Sequence, residues 1–229
     1  NGSIWANCMW LKGVVMKAHY NGLIPRNPFI QFHISPNVKE REYLTEDELK
    51  AVMTHEFADS KLAYIRDIFI FASFTVLSFV DIQELTNDNI VEVNGEKWIV
   101  SKRHKTGVPY QVKLLDIPLQ IIERYRPFQE DNLVFPNLNY WSICKPLKKM
   151  IRECGVNKSM SFHCSRHGFA TLALCKGMPI ESVSRVLGHT NIKTTQIYAK
   201  ITTQKLDNDL TAFGNQLSKS FGDIKVAGV

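Results

Sequence analysis

The sequence predicts a mainly α-helical protein carrying one small antiparallel β-sheet. Three observations lead there. Apolar residues recur at intervals of three and four along several long stretches. One Asn-Gly dipeptide separates two short runs of strand-forming residues. Of the 229 residues, 45% are hydrophobic, enough to bury a core in a globular chain.

The elements follow in order. Ile4, Trp5, Cys8, Met9, Val15, Met16 and Tyr20 recur at helical spacing, and Asn21-Gly22 supplies a C-terminal stop. A lone helix cannot form a domain, so its apolar face must pack on the rest of the protein or on another chain. Pro25, Asn27-Pro28 and Pro36 disfavour helix and mark 23–43 as an interdomain linker. Thr45-x-x-Glu48 is a capping box that opens a helix at about residue 46. A second helix, about 61–77, is apolar nearly all round and should be buried. Strands 90–93 and 97–100 flank Asn94-Gly95, and a third strand, 110–115, completes the sheet. Helices are expected at about 118–125 and 141–154.

Beyond them, Phe162, Phe169 and Leu172 recur at helical period, which puts His163 and Arg166 on one helix face. Gly177 then Pro179 reads as a stop followed by a start, opening a short helix over 180–187 that Gly188 ends. Asn191 offers an N-cap to a last helix carrying Tyr198. Leu206, Leu210 and Phe213 form one more apolar stripe.

Charge is unevenly spread. The formal net charge is +6, yet 139–200 holds ten Lys or Arg against Glu153 and Glu181, a local +8 that leaves the remainder near −2. Such a cluster suits a phosphate backbone, with salt-dependent affinity. Five cysteines (Cys8, Cys144, Cys154, Cys164, Cys175) lack paired spacing and suit free thiols in a reducing cytosol. No run is long or apolar enough for a membrane span, and the start resembles no signal peptide. His163, Cys164 and His167 lack the partner pair a zinc finger needs, so no metal is expected.

Within 161–198 stand His163-x-x-Arg166, then Leu187-Gly188-His189, then Thr194-Thr195-x-x-Tyr198. Singly, each is usually unremarkable: a surface His/Arg pair, a core-edge tyrosine. In this order and spacing they resemble the catalytic motifs of the tyrosine recombinases, the phage integrase family, over most of the chain from about Leu44 to Phe213. The resemblance implies the catalytic-domain fold of that family, with catalytic residues Arg166, His163, His189 and Tyr198.

The chemistry of those side chains agrees with the resemblance. In-line attack on a phosphodiester accumulates charge on the non-bridging oxygens, which positioned cations and donors stabilise. Arg166 can bind two oxygens at once; His189 can donate a further hydrogen bond; His163 can donate or take up a proton. Tyr198 would be the nucleophile, and the phosphotyrosine it leaves conserves the energy of the broken bond, so no cofactor is expected.

Around Asp81 the chain departs from the family pattern. Ser78 stands where the family carries its first catalytic arginine, and Asp81 matches an acidic position with a support role. Some integrases of mobile elements in the family share this gap. The resemblance also places a catalytic lysine on the turn Lys105-Thr106-Gly107, where a cationic acid would protonate the leaving 5′ oxygen; Lys102 and Lys113 are rivals to Lys105. Arg103, two residues earlier, would point to the same side of the strand if pairing extends so far, and could supply the charge missing at Ser78. An ordinary phosphate contact is the alternative for Arg103. Lys145, Lys148, Lys149 and Arg152 could grip the DNA backbone or simply be solvated.

The expected organisation is a C-terminal helix of a truncated core-binding domain plus linker over 1–35, and a catalytic domain over 36–229. The absence of an initiating Met suggests a chain cut from something longer. The implied function is site-specific recombination of double-stranded DNA by a homotetramer in the cytoplasm, associated with the nucleoid, for integration and excision of a mobile element. A type IB topoisomerase and a catalytically inactive DNA-binding module are the alternatives.

Overall fold

A computed structural model describes residues 2–33, 35, 42–105, 107–199 and 203–221. Residues 34 and 36–41 of the expected linker, Pro36 among them, and Thr106 of the lysine turn lie outside the described residues. The chain divides into two compact units, Asn1–Arg41 and Glu42–Val229.

In the first unit, α1 (Gly2–Tyr20) ends where expected, at Gly22 with φ +72°. The chain then folds back on the helix: Lys12 Nζ donates to the Phe32 carbonyl at 3.2 Å, and Phe29 meets Phe32 edge to face. Trp10, Leu11, Val14 and Tyr20 remain exposed.

The second unit is built around α3. The α2 helix (Glu46–Thr54) starts with the capping box: Glu48 N donates to Thr45 Oγ1 at 3.3 Å and Thr45 N to Glu48 Oε2 at 2.8 Å. After it, α3 (Ser60–Thr75) is apolar on nearly every face because other elements enclose it. It is followed by α4 (Phe79–Gln83), β1 (Ile90–Val93), β2 (Glu96–Lys102), β3 (Pro109–Lys113), α5 (Asp116–Tyr125), α6 (Tyr140–Glu153) and α7 (Cys164–Cys175). Of these, α5, α6 and α7 join α2 in packing on α3. Ile68, Phe69 and Phe71 of α3 are fully buried, each such side chain contributing about 1.5–3 kcal/mol.

The sheet has order β1-β2-β3, antiparallel throughout. Asn94 (φ 54°) and Gly95 (φ 78°) make the tight turn that fixes the pairing Val93↔Glu96. Ile99, Tyr110 and Val112 face the core, while Val91, Val93 and Val100 face outward.

One polar feature inside the core escaped the sequence reading. Asp67, 2% exposed, accepts from Arg66 Nε (2.6 Å), Arg124 Nη1 (2.7 Å) and the Tyr125 hydroxyl (2.8 Å), tying α3 to α5. A carboxylate is tolerated there because donors satisfy it.

The C-terminal part comprises α8 (Ile180–Leu187), α9 (Lys193–Gln196) and α10 (Thr203–Phe221). The bounds of α8 are those expected. Two expectations need correction. His163 precedes α7 as its N-cap residue instead of lying within the helix. Tyr198 lies two residues past the end of α9, in a turn whose N–H groups bond back to Thr195 and Gln196, so no helix carries it. Four residues of α9 are too few to run on.

Candidate active site

Two arginines from different elements converge on one carbonyl. Val76 ends α3 in the left-handed region, φ 61°, costly for a β-branched residue. That reversal makes its carbonyl an acceptor from Arg166 Nη1 at 2.7 Å and from Arg103 Nη1 at 3.4 Å. The two guanidinium groups also hold successive carbonyls at the end of α8: Arg103 Nη2 donates to Val186 O at 2.9 Å, and Arg166 Nη2 donates to Leu187 O.

Arg103 is buried, 7% exposed. Its Nη1 lies 2.9 Å from Asp81 Oδ2, and its Cζ sits 4.1 Å from the centroid of the Tyr110 ring. Nε is buried against Gly188 without a hydrogen-bond partner among the described residues. Gly188 permits this approach: its φ is +66°, and a Cβ there would stand 3.2 Å from Arg103 Nε.

Ser78 is the N-cap of α4. Asp81 N donates to Ser78 Oγ at 3.3 Å, and Ser78 N to Asp81 Oδ2 at 3.2 Å, a capping box built on a carboxylate. Asp81 Oδ1 accepts from His104 N at 3.1 Å. Burial alone would raise the Asp81 pKa, but the His104 N–H, Ser78 and Arg103 together hold it below the usual carboxylate range.

Burial depresses Arg166 to about 10, helped by the positive charge of Arg103. His189 follows the left-handed C-cap of α8, and its Nδ1 lies 2.8 Å from the hydroxyl of buried Thr195. Burial first, then the guanidinium charges of Arg166 and Arg103, with a smaller electrostatic contribution from His163, push it down to about 4. The ring is therefore neutral near pH 7. Desolvated, like-charged groups held by fixed acceptors form a site that favours an anion.

Tyr198 joins this group through an aromatic chain. His167, buried in α7, meets the His163 ring edge to face at 4.8 Å and the Tyr198 ring at 5.0 Å. Tyr198 also packs on a small apolar cluster of Val76, Ala170, Leu174, Val183 and Leu187. A cavity of about 350 Å³ is lined by Ser78, Tyr140, His163 and Arg166 among others; Tyr198 and His189 are not part of its lining. Sequence reading had weighed His167 only as a metal ligand; its adjacency to the Arg166 motif was the available signal.

Pairing of β2 with β3 ends at Lys102↔Pro109, where Arg103 N donates to Val108 O. Arg103 and Lys105 therefore do not share a strand side. Arg103 turns into the core, and Lys105 stands exposed on the turn closed by Gly107 N to Arg103 O at 2.7 Å. Of its rivals, Lys113 is ion-paired with Glu96 at the far end of the hairpin, and Lys102 is exposed on β2. Lys145, Lys148 and Arg152 fall with Trp141 on one exposed stripe of α6, and Lys149 beside it. No group of three or more His, Cys, Asp or Glu among the described residues could hold a metal ion, and no described helix is long and apolar enough to cross a membrane.

A mostly helical domain with a three-stranded sheet and a buried two-arginine site is the class that fold and geometry define. Comparison with known proteins makes it specific: the profile of the phage integrase family matches residues 42–205, and the chain belongs to that family. Among its relatives, the tyrosine recombinase XerA of Pyrococcus horikoshii is 32% identical over 174 residues, covering 71% of this chain and 58% of that protein. A tyrosine recombinase of Thermosipho africanus is 25% identical over 195 residues, 81% of this chain and 66% of the relative. The chain thus spans roughly three-fifths of the length of these relatives. The fold is shared with the Tn1549 transposon integrase in complex with a circular intermediate DNA (TM-score 0.72, 17% identity, 88% of this chain and 76% of that one). It is shared too with a lambda integrase dimer bound to a core site (TM-score 0.66, 17% identity, 82% and 56%).

Proposed function

We propose that this chain is the catalytic part of a site-specific DNA recombinase that cuts and rejoins strands through a 3′-phosphotyrosyl link. The observation that carries this reading is the convergence of Arg103 and Arg166 on the Val76 carbonyl beside His189 and Tyr198. In it, Arg166 and Arg103 bind the non-bridging oxygens of the scissile phosphate, and Arg103 supplies the cation that Ser78 lacks. A neutral His189 whose Nδ1 accepts from Thr195 presents Nε2–H to the same phosphate.

Tyr198 Oη attacks phosphorus, and His163 takes the phenolic proton. The P–O5′ bond breaks with its electron pair on O5′, which Lys105 Nζ protonates. A 5′ hydroxyl from the partner duplex then attacks the phosphotyrosine, reversing these transfers. Asp81 supports Arg103 and is not itself in contact with the phosphate. Lys145, Lys148, Lys149 and Arg152 hold the DNA backbone.

Residues 1–35 fit the end of a core-binding domain, and 36–229 the catalytic domain. An exposed stripe on α10 (Leu206, Leu210, Phe213, Leu217) and an apolar groove of about 180 Å³ lined by Leu44, Leu49, Phe69, Phe169, Leu172 and Met178 support exchange of α10 between neighbours in a homotetramer on DNA. Likeness to a transposon integrase bound to a circular intermediate DNA favours integration and excision of a mobile element on chromosomal DNA.

The test is covalent capture. Nicked suicide duplexes from a random-sequence library are incubated with the protein, and denaturant-stable adducts are sequenced. Wild type should trap a defined duplex and Tyr198→Phe none. Absence of any adduct from wild type would leave an inactive DNA-binding module; relaxation of a supercoiled plasmid bearing the captured site, with no strand exchange between two marked duplexes, would leave a topoisomerase.

A further inference from the structure

The short helix α4 does more than carry Ser78. It presents two carboxylates, Asp81 in its first turn and Glu84 at its C-cap, and both are engaged by the segment that bears Lys105. Asp81 accepts from Arg103 Nη1 and from His104 N at 2.9 and 3.1 Å. Glu84, the C-cap residue of α4, accepts from His104 Nδ1 at 2.8 Å. His104 is thus fixed through both backbone and side chain, and the next residue is Lys105. The Arg103–Asp81 contact is buried and the His104–Asp81 contact partly so. The Glu84–His104 pair is more than half exposed on each side and adds little to global stability.

We propose that Glu84 and His104 are positioning residues that hold the lysine turn against α4, so that the Lys105 ammonium is presented at the leaving oxygen. The proposal rests on the reading above, in which Lys105 protonates O5′. The turn between Arg103 and Val108, exposed at His104, Lys105 and Gly107, is closed at its base by Arg103 N to Val108 O and Gly107 N to Arg103 O. Side-chain anchoring at His104 removes the swing that this backbone closure leaves. A proton donor misplaced by about 1 Å can cost up to about 100-fold in rate, although the fold is intact.

The experiment uses the duplex that the wild-type protein captures, made in two forms: with the natural O5′ and with sulfur in its place at the scissile phosphate. A thiolate departs without needing a proton, so the sulfur substrate is indifferent to the acid. Lys105→Ala sets the benchmark, slow on oxygen and restored on sulfur. Glu84→Gln and His104→Ala should each cleave the oxygen duplex about 10-fold slower than wild type, and the sulfur duplex within about twofold of it. DNA affinity and Tm should stay at wild-type values.

Equal slowing on both substrates, or wild-type rates on both, overturns the positioning role. Weaker DNA binding in step with the rate overturns it too, because the pair would then be a DNA contact. Were wild type itself to cleave neither duplex, the recombinase reading would fall first and this inference with it.

Discussion

Arg103, from the end of β2, and Arg166, from α7, donate to the same oxygen, the carbonyl of Val76. Residues 63 positions apart in sequence thereby present two guanidinium groups side by side, with Asp81 ion-paired to Arg103. The neighbouring positive charge of Arg103 contributes to the depression of Arg166 to about 10, and a bound phosphate would relieve it.

Removing Arg103 should therefore affect stability and chemistry separately. Arg103→Ala leaves Asp81 buried and unpaired, a loss of about 3–5 kcal/mol in denaturant unfolding. Adding Asp81→Asn should recover part of that stability. It should not recover cleavage, which is expected to stay about 10³-fold down in the suicide-substrate assay. Wild-type cleavage by Arg103→Ala, with Lys105→Ala inactive, would exclude the compensating role.

Gly188 is constrained twice, by its φ and by the Arg103 side chain beside it. Gly188→Ala should cost about 1–3 kcal/mol. Gly188→Asn tolerates the left-handed backbone better and should cost less, yet it also places a Cβ against Arg103 Nε. Both variants should lower the cleavage rate. A rate that follows unfolding free energy across the pair would contradict the steric account.

The pKa of His189 can be read by ring-proton NMR. In the free protein the midpoint should lie near 4, below the ordinary 6.5, because burial and the guanidinium groups of Arg166 and Arg103 oppose protonation. The sign follows from linkage: the folded state binds its proton later than the unfolded state. This group's contribution to stability is complete above about 6.5 and is lost as pH falls through about 4. Adding the captured duplex should raise the midpoint, since a phosphate anion favours the imidazolium.

Charge on the α10 stripe separates folding from assembly. Leu210 and Phe213 are 59% and 56% exposed, so Leu210→Asp and Phe213→Asp should leave Tm within about 2 °C of wild type. Light scattering of the DNA complex should show loss of the tetramer. A tetramer unchanged by both substitutions would exclude exchange of α10.

Much of this architecture was legible in the sequence because local signals act alone. The capping box at Thr45, the Asn94-Gly95 turn and the stop at Gly188 each depend on residues a few positions apart. The stretch 161–198 likewise announced Arg166, His189 and Tyr198 as one group. Periodicity did not reveal α4, because five residues complete little more than one turn and show no face. The inward turn of Arg103 and the burial of Asp67 were hidden as well, since their partners lie 22 and 58 residues away. Tyr198 was given a helix because Asn191 offers a cap; Asn191 Oδ1 does accept from Lys193 N at 2.9 Å, but the N-cap residue is Ile192 and the helix ends after four residues, short of Tyr198.

The cap at Ser78 limits what an arginine at that position could add. Ser78→Arg would not simply graft a guanidinium into the cavity: it would strip the N-terminal hydroxyl from α4 and meet an Asp81 whose oxygens Arg103 and His104 already hold. A second guanidinium there would compete with Arg103 and His104 for the Asp81 oxygens, so charge gained at position 78 would be partly offset by a less firmly held Arg103.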